Sequence, residues 1–427
     1  MSRPHLALHG KILLGLVLGT LAGVVASGLW EGSTGLERVI VYVAQPVGQI
    51  FLRMLLMVVV PLVFTTLVLG IAGLGDLRRL GRMGAKTLGF FVATTCLAAV
   101  LGLLVVNIVR PGEAITPALR AALLDTFAPQ ASAVVAVAGT DLTVDTFVNI
   151  VPANPVAAAA QGDLLSFIFF TIVFAVAVTR LPAGVARPVL EVLEGVAQAV
   201  MMMIGFAMRL APYGVAGLTF AVTARFGLDL FAPLGKYFFA VLLGLVAYQF
   251  GLFAVLVRVL GGMSPRAFYR HARLPMLTAF STASSSATLP TTIRAAEEGL
   301  GVPREVAGFV LPLGATLHMN GTAFFEAITV LFLAQAFGVD LSLAMQGLVV
   351  VLTVLTAVSA AGIPSGSIPL IVVMLTTVGV PGEAIALIMG VEAILGMART
   401  STNVTGDLLA SLVIARSEAL PREADGT

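Results

Sequence analysis

The sequence predicts an all-α protein that crosses a membrane many times, with eight transmembrane helices plus two re-entrant helical hairpins. Composition is the first ground. Of 427 residues, 59% are hydrophobic and only 11% charged, and mean hydropathy is +1.04, whereas soluble domains carry about 25% charged residues. The second is the recurrence of apolar stretches near 11–30, 46–74, 87–109, 163–180, 192–222, 236–260, 305–336 and 384–415. A crossing needs about 20 apolar residues, so the longer stretches imply tilt and not extra crossings. The third is a pair of segments, 277–299 and 351–379, whose apolar ends flank Ser-, Gly- and Pro-rich middles. Such middles break helices, and non-helical backbone at membrane depth survives only within protein or beside a water-filled cavity. Two re-entrant hairpins satisfy this, with "SSSA" (284–287) and "GIPSGS" (362–367) at their tips. Each hairpin is followed by a full span, and paired interrupted segments of this kind point to a transporter's binding site.

Taken in order, the first stretch begins at Ile12, runs long enough to remain a membrane helix, and is followed by no small-residue cleavage site. Its Gly15, Gly19 and Gly23 form a stripe suited to close helix packing. The fourth stretch is short and extends upstream through broken pieces near 117–160. Basic residues gather in connectors: Arg78, Arg79, Arg82 and Lys86; Arg180 and Arg187; Arg258, Arg266, Arg270 and Arg273. With Arg3 and Lys11, all fall on one side of eight crossings, which places both termini in the cytoplasm of a multi-pass cell-membrane protein. The tail "RSEALPREADGT" (416–427) reads as disordered. One cysteine, Cys96, excludes an internal disulfide, and a net charge of +2 gives no argument for nucleic acid.

The last stretch contains "GMARTSTNVTGD" (396–407). On an ideal helix Glu392, Asn403 and Asp407 fall within about 80° of Arg399. A charge at the bilayer centre costs at least about 2.5–3.5 kcal/mol, so each needs a partner or a ligand. So narrow a stripe reads as a lined cavity; the competing reading is an Arg–Asp or Arg–Glu pair that joins two helices. For Asp407, a bound cation or protonation is expected.

Several ordered motifs, "SSSATLPTT" (284–292), "LPLGATLHMNGTAFFEA" (311–327), "AGIPSGS" (361–367) and "RTSTNVTGD" (399–407), together resemble the glutamate transporter family, the dicarboxylate/amino acid:cation symporters. The resemblance covers nearly the whole chain. It implies a homotrimer of independent protomers working by an elevator-type mechanism. Residues 1–235 would be mainly scaffold (spans 1, 2, 4 and 5, with span 3 joining the transport part), 236–416 mainly the transport part, and 417–427 a cytoplasmic tail. Ser285, Ser286 and Asn403 would hold one substrate carboxylate. Thr322, Ile363, Ser367 and Thr400 would line the site, and Arg399 would pair with a distal carboxylate, as its planar fork suits.

The resemblance also implies coupling to Na+ and/or H+, with no other cofactor. Asp407, Asn403, Gly314, Thr316 and His318, partly through backbone carbonyls, would bind Na+, and Glu326 and His318 are candidate proton sites. Departures from the family pattern matter more. Where the family's amino acid carriers have an Asp for the ammonium, this chain has Gly396, and a partnering Arg is replaced by Ala283. An ammonium buried without an anion is costly, which favours a C4 dicarboxylate such as succinate, fumarate or malate; the alternative is aspartate or glutamate. The family's "NMDGT" is "HMNGT" (318–322) here, so one sodium site near Thr94 and Thr95 loses its carboxylate. Glu392 is expected to support Arg399. An ion channel gains nothing from a carboxylate site. An intramembrane enzyme lacks a Lys or His beside the serine triplet, so no enzyme is expected.

Overall fold

The computed structural model describes residues 8–30, 32–80, 82–126, 148, 150–161, 163–359 and 366–418. Among these the chain is helical throughout, with short 3-10 and π turns. Helix α1 (Leu8–Trp30) is followed by α2 (Thr34–Val39), α3 (Gln45–Leu56) and α4 (Val59–Leu80), which cover the second expected span. Then come α5 (Arg82–Val109), α6 (Pro117–Thr126), α7 (Pro155–Gln161) and α8 (Leu164–Arg180). Next are α9 (Ala183–Phe226), α10 (Phe231–Ala247) and α11 (Phe253–Val259). The segment expected to form the first hairpin falls on α12 (Pro265–Thr282) and α13 (Ser285–Arg294), and α14 (Arg304–Leu317) and α15 (Asn320–Phe337) follow. The segment expected to form the second hairpin falls on α16 (Leu343–Ser359) and α17 (Ile368–Thr377), and α18 (Met389–Glu418) is the last described helix.

Among the described residues, six stretches are long and apolar enough to cross a membrane: Gly10–Trp30, Thr34–Ala72, Arg82–Ala114, Ala183–Phe226, Phe231–Val259 and Arg304–Phe337. The other two expected spans fall on α8, which has 17 residues, and α18, which has 30, and neither is among these six. Helix α18 has the length, about 45 Å at 1.5 Å per residue, but its charged stripe dilutes its apolarity.

Several boundaries differ from the sequence reading. Span 305–336 is not continuous; it breaks at His318 and Met319, whose backbones leave the helical region (φ −119°, ψ 78° and φ −110°, ψ 63°). The first hairpin starts at Pro265, not 277, because Ser264 caps the helix and Pro265 takes a first-turn position. Arg266, Arg270 and Arg273 therefore ride on a helix and not in a connector, and Arg187, Arg82 and Lys86 likewise lie within α9 and α5. The second hairpin starts at Leu343, not 351. The tail is helical through Glu418, whose carboxylate meets Lys86 Nζ at 2.7 Å and Arg82 at 3.2 Å. Those hydrogen bonds, Lys86's first, hold the Glu418 carboxyl below the usual carboxylate range. Residues 419–427 lie outside the described residues.

Contact registers fix how the helices run. A Cβ on Gly15, Gly19 or Gly23 would meet Pro212, Ala216 or Phe220 and Thr223, so α1 and α9 run parallel at backbone contact. Gly102 and Gly112 abut Phe324 and Phe332 in the same sense, making α5 and α15 parallel. Helix α18 runs antiparallel to both halves of the broken helix, with Asp407 by Gly314, Asn403 by Gly321 and Arg399 by Phe325. Its last turn rests on the start of α5 and, through Arg416, on the carbonyl of Leu260 just past α11.

The glycine stripe gives a direct test. Gly19→Leu forces a side chain into the backbone of Ala216, and overpacking of this kind costs about 1–3 kcal/mol. The purified variant should melt below the parent, while leucine at Gly28, which faces open space, should leave the melting temperature unchanged.

Candidate functional site

The break between α14 and α15 decides the local chemistry. A helix beginning mid-membrane exposes N–H groups with no partner in its own ladder. Asn403 on α18 satisfies two of them: its Oδ1 accepts from the Gly321 N–H at 2.7 Å and the Thr322 N–H at 3.3 Å. Its Nδ2 donates to Thr322 Oγ1 at 3.1 Å. Gly321 permits this approach, since a Cβ there would strike the Arg399 carbonyl. The residue expected to hold a carboxylate is thus also the cap of α15.

Arg399, 4% exposed, lies one turn away. Its guanidinium donates to Ser367 Oγ at the start of α17 and to Glu392 Oε1 at 3.2 Å, and its Cζ stands 4.9 Å from the centre of the Phe325 ring. Glu392 is on the same helix, so the pair does not join two helices, and Glu392 supports Arg399 as expected. The link across helices is the neutral hydroxyl of Ser367, which leaves the cation able to take an anionic ligand. A Cβ placed on Gly396 would lie only 3.4 Å from Glu392 Oε1. The Glu392 carboxylate therefore already reaches the space beside residue 396.

Of the other expected contacts, Thr322 and Thr400 are buried beside this group, with the Thr400 hydroxyl donating to the Gly396 carbonyl at 2.8 Å. Ser285 is buried and Ser286 exposed at the first turn of α13, which Ser284 caps by accepting from the Ala287 N–H at 3.2 Å. Ala283 just before it is left-handed (φ 46°), a strained conformation for a residue with a side chain. Helix α13 packs on α18, yet among the described residues no hydrogen bond joins Ser285 or Ser286 to Arg399 or Asn403. Ile363 lies outside the described residues.

The second cluster is centred on His318, which is fully buried. Its Nδ1 is 3.0 Å from Asp407 Oδ1 and its Nε2 2.8 Å from Thr94 Oγ1, while its ring stacks on Phe91 at 4.2 Å. If the Thr94 hydroxyl donates to the Phe90 carbonyl, 2.7 Å away, Nε2 must donate to Thr94; if not, Thr94 donates to Nε2. In either tautomer a proton sits between Nδ1 and Oδ1. Gly314 faces the same oxygen, and a Cβ there would lie 2.6 Å from it. Thr95 donates to Asn320 Oδ1 at 3.0 Å, whereas Asn320 Nδ2 has no partner among the described residues. Thr316 is exposed, with its hydroxyl donating to the Leu313 carbonyl at 3.0 Å. Glu326 is buried; its Oε2 accepts from Thr356 at 2.8 Å, and its Oε1 has no partner among the described residues.

Sequence reasoning missed a brace behind these clusters. A π turn, Tyr248–Leu252, separates α10 from α11, and such turns often occur at functional sites. From it the Tyr248 hydroxyl donates to the Thr94 carbonyl at 3.0 Å, and Gln249 Oε1 accepts from Thr402 at 2.8 Å. A glutamine within the apolar stretch 236–260 was the available signal.

The profile of the sodium:dicarboxylate symporter family matches residues 8–417. The chain belongs to that family. It is 33% identical to the proton/sodium-glutamate symport protein of Bacillus subtilis (strain 168), over 98% of this chain and 95% of the relative. It is 34% identical to the proton/glutamate-aspartate symporter of Escherichia coli (strain K12), over 98% and 94%. It is 30% identical to the C4-dicarboxylate transport protein of Laribacter hongkongensis (strain HLHK9), over 96% and 90%. These relatives are transporters and not enzymes, and this chain is a multi-pass membrane symporter of the dicarboxylate/amino acid:cation class.

The capping role of Asn403 separates from any ligand role by experiment. Asn403→Ala removes a cap and unpairs two N–H groups, at a cost of about 0.5–2 kcal/mol. The variant's melting temperature should fall even without substrate or sodium; an unchanged value would mean that water replaces the cap.

Proposed function

We propose that this symporter carries a small dicarboxylate of the C4 type, such as succinate, fumarate or malate, driven by Na+ and/or H+. The observation that carries the reading is Arg399, held between Ser367, Glu392 and the face of Phe325. A buried guanidinium prepositioned in this way binds a carboxylate in fork geometry. The second carboxylate falls to Asn403 Nδ2, Thr322 and the first turns of α13 and α15, where helix N-termini favour anions. Gly396 and Ala283 present no charge of their own to an ammonium group.

One observation favours the second reading, an acidic amino acid. Glu392 brings a carboxylate to the space beside residue 396, and that carboxylate is an anion for a substrate ammonium. Several relatives are named for glutamate or aspartate. Cation coupling rests on Asp407. His318 Nδ1 occupies the carboxylate oxygen that a sodium ion would use, so sodium there competes with His318, and Glu326 offers a separate proton position. We further propose an elevator in which α10 to α18, with α5, move against a scaffold of α1 to α4 and α6 to α9. Three protomers would meet through scaffold helices, with both termini in the cytoplasm. The parallel packing of α5 on α15 and the hold of Thr94 on His318 support the placement of α5.

Uptake of labelled succinate and labelled L-aspartate into proteoliposomes tests this, under a sodium gradient and separately under a proton gradient. Succinate should be preferred. Arg399→Ala should weaken it by about 2–5 kcal/mol, roughly thirtyfold or more. Unchanged succinate uptake by that variant refutes the Arg399 assignment. Preference for aspartate, lost in Glu392→Gln while succinate uptake persists, establishes the second reading instead. His318→Asn should lower the sodium concentration needed for half-maximal uptake.

A further inference from the structure

A cavity of about 480 Å3 lies between α1 and α9 on one side and α10 and the start of α18 on the other. Its walls are almost wholly apolar, formed by side chains such as Leu16, Leu234, Phe238 and Leu387. The volume is that of a small-ligand site, and the helices around it include three of the stretches long enough to cross a membrane. It shares the lining residues Val222 and Ala386 with a second, smaller cavity of about 80 Å3 whose walls are partly polar.

That smaller cavity is lined by Gln45, Gln49, Arg225 and Glu383. Arg225 is ion-paired with Glu37 of α2, and Glu383 stands in the 3-10 turn that leads into α18. One guanidinium, one carboxylate and two amides thus line a cavity beside the apolar slot, and the Glu37 carboxylate pairs with that guanidinium from outside the lining. An apolar slot adjoining a cavity lined by charged and amide side chains suits an amphiphile, and a bilayer supplies one.

We propose that this crevice binds one glycerophospholipid with a primary-amine headgroup, of the phosphatidylethanolamine type. An acyl chain fills the slot between α1, α9 and α10. The phosphodiester accepts from Arg225 and the glutamine amides, and the ammonium donates to Glu383 and Glu37. A glycerol headgroup brings no cation to the two carboxylates, and a choline headgroup has no N–H to donate. The lipid would touch α1 and α9 together with α10 and α18, and so sit on the joint between the two parts proposed above. Its binding does not depend on which substrate is carried.

Native mass spectrometry of the full-length detergent-solubilised protein tests this, with ethanolamine, glycerol and choline phospholipids of the same acyl chains. The parent should retain the ethanolamine lipid about tenfold better than either other class. Gly235→Phe places a ring in the slot from a position whose Cβ meets nothing within 4 Å, and should abolish retention. Glu383→Gln, which leaves the slot intact, should reduce the preference for ethanolamine over choline while a lipid is still retained. Equal retention of the three headgroups by the parent, or a preference for glycerol or choline, overturns the proposal. So does unchanged retention in both variants.

Discussion

The polar stripe of α18 is organised around one hydrogen-bonded junction, the side-chain amide of Asn403 set against the first turn of α15. An unbroken helix there would have no free N–H groups and no reason to draw a polar partner. Once His318 and Met319 leave the helical region, the chain must supply acceptors in a medium without water. Asn403 supplies them, Gly321 lets the two backbones approach, and Gly406 leaves room for the side chains of Asn320 and His318. Arg399 and Asp407 then follow from helical geometry, one turn to either side of Asn403. The first is delivered to the start of α17 and the second to His318.

The two charged centres are managed differently. Arg399 keeps a carboxylate on its own helix and a hydroxyl across the gap, so its charge is supported without being consumed by a second anion. Asp407 is bonded to an imidazole that Thr94 and the Phe91 ring hold in place. Behind both, Tyr248 and Gln249 tie α5 and α18 to the π turn. A buried polar network of this kind is rigid only if nearly all of its members are satisfied. Asn320 Nδ2 and Glu326 Oε1, which have no hydrogen-bond partner among the described residues, therefore mark where the network can still take a ligand, a proton or water.

Much of this was legible in the sequence because hydrocarbon makes polar residues conspicuous. The stripe of Glu392, Arg399, Asn403 and Asp407 followed from spacing alone, and the structure brings Glu392 and Arg399 together as that spacing requires. Gly15, Gly19 and Gly23 likewise marked the contact with α9. The break at His318 escaped notice because Leu317 and Met319 are ordinary helix formers and no proline or glycine flanks them directly. Its cause is tertiary, since Asn403 stabilises a helix start that local propensity does not require. The start of the first hairpin's leading arm is hidden in the sequence because Arg266, Arg270 and Arg273 look like a connector, whereas on α12 they are the exposed charged face of a helix. Only the structure reveals that the Glu392 carboxylate reaches the space beside Gly396, because a distance between side chains is not a property of spacing.

The most direct test is an experimental density map of the protein with succinate bound. The account predicts one carboxylate within hydrogen-bond distance of the Arg399 guanidinium. The other should lie against Asn403 and the first turn of α15, with the hydrocarbon link beside Gly396. Density for succinate anywhere that leaves Arg399 bonded only to Ser367 and Glu392 would contradict it.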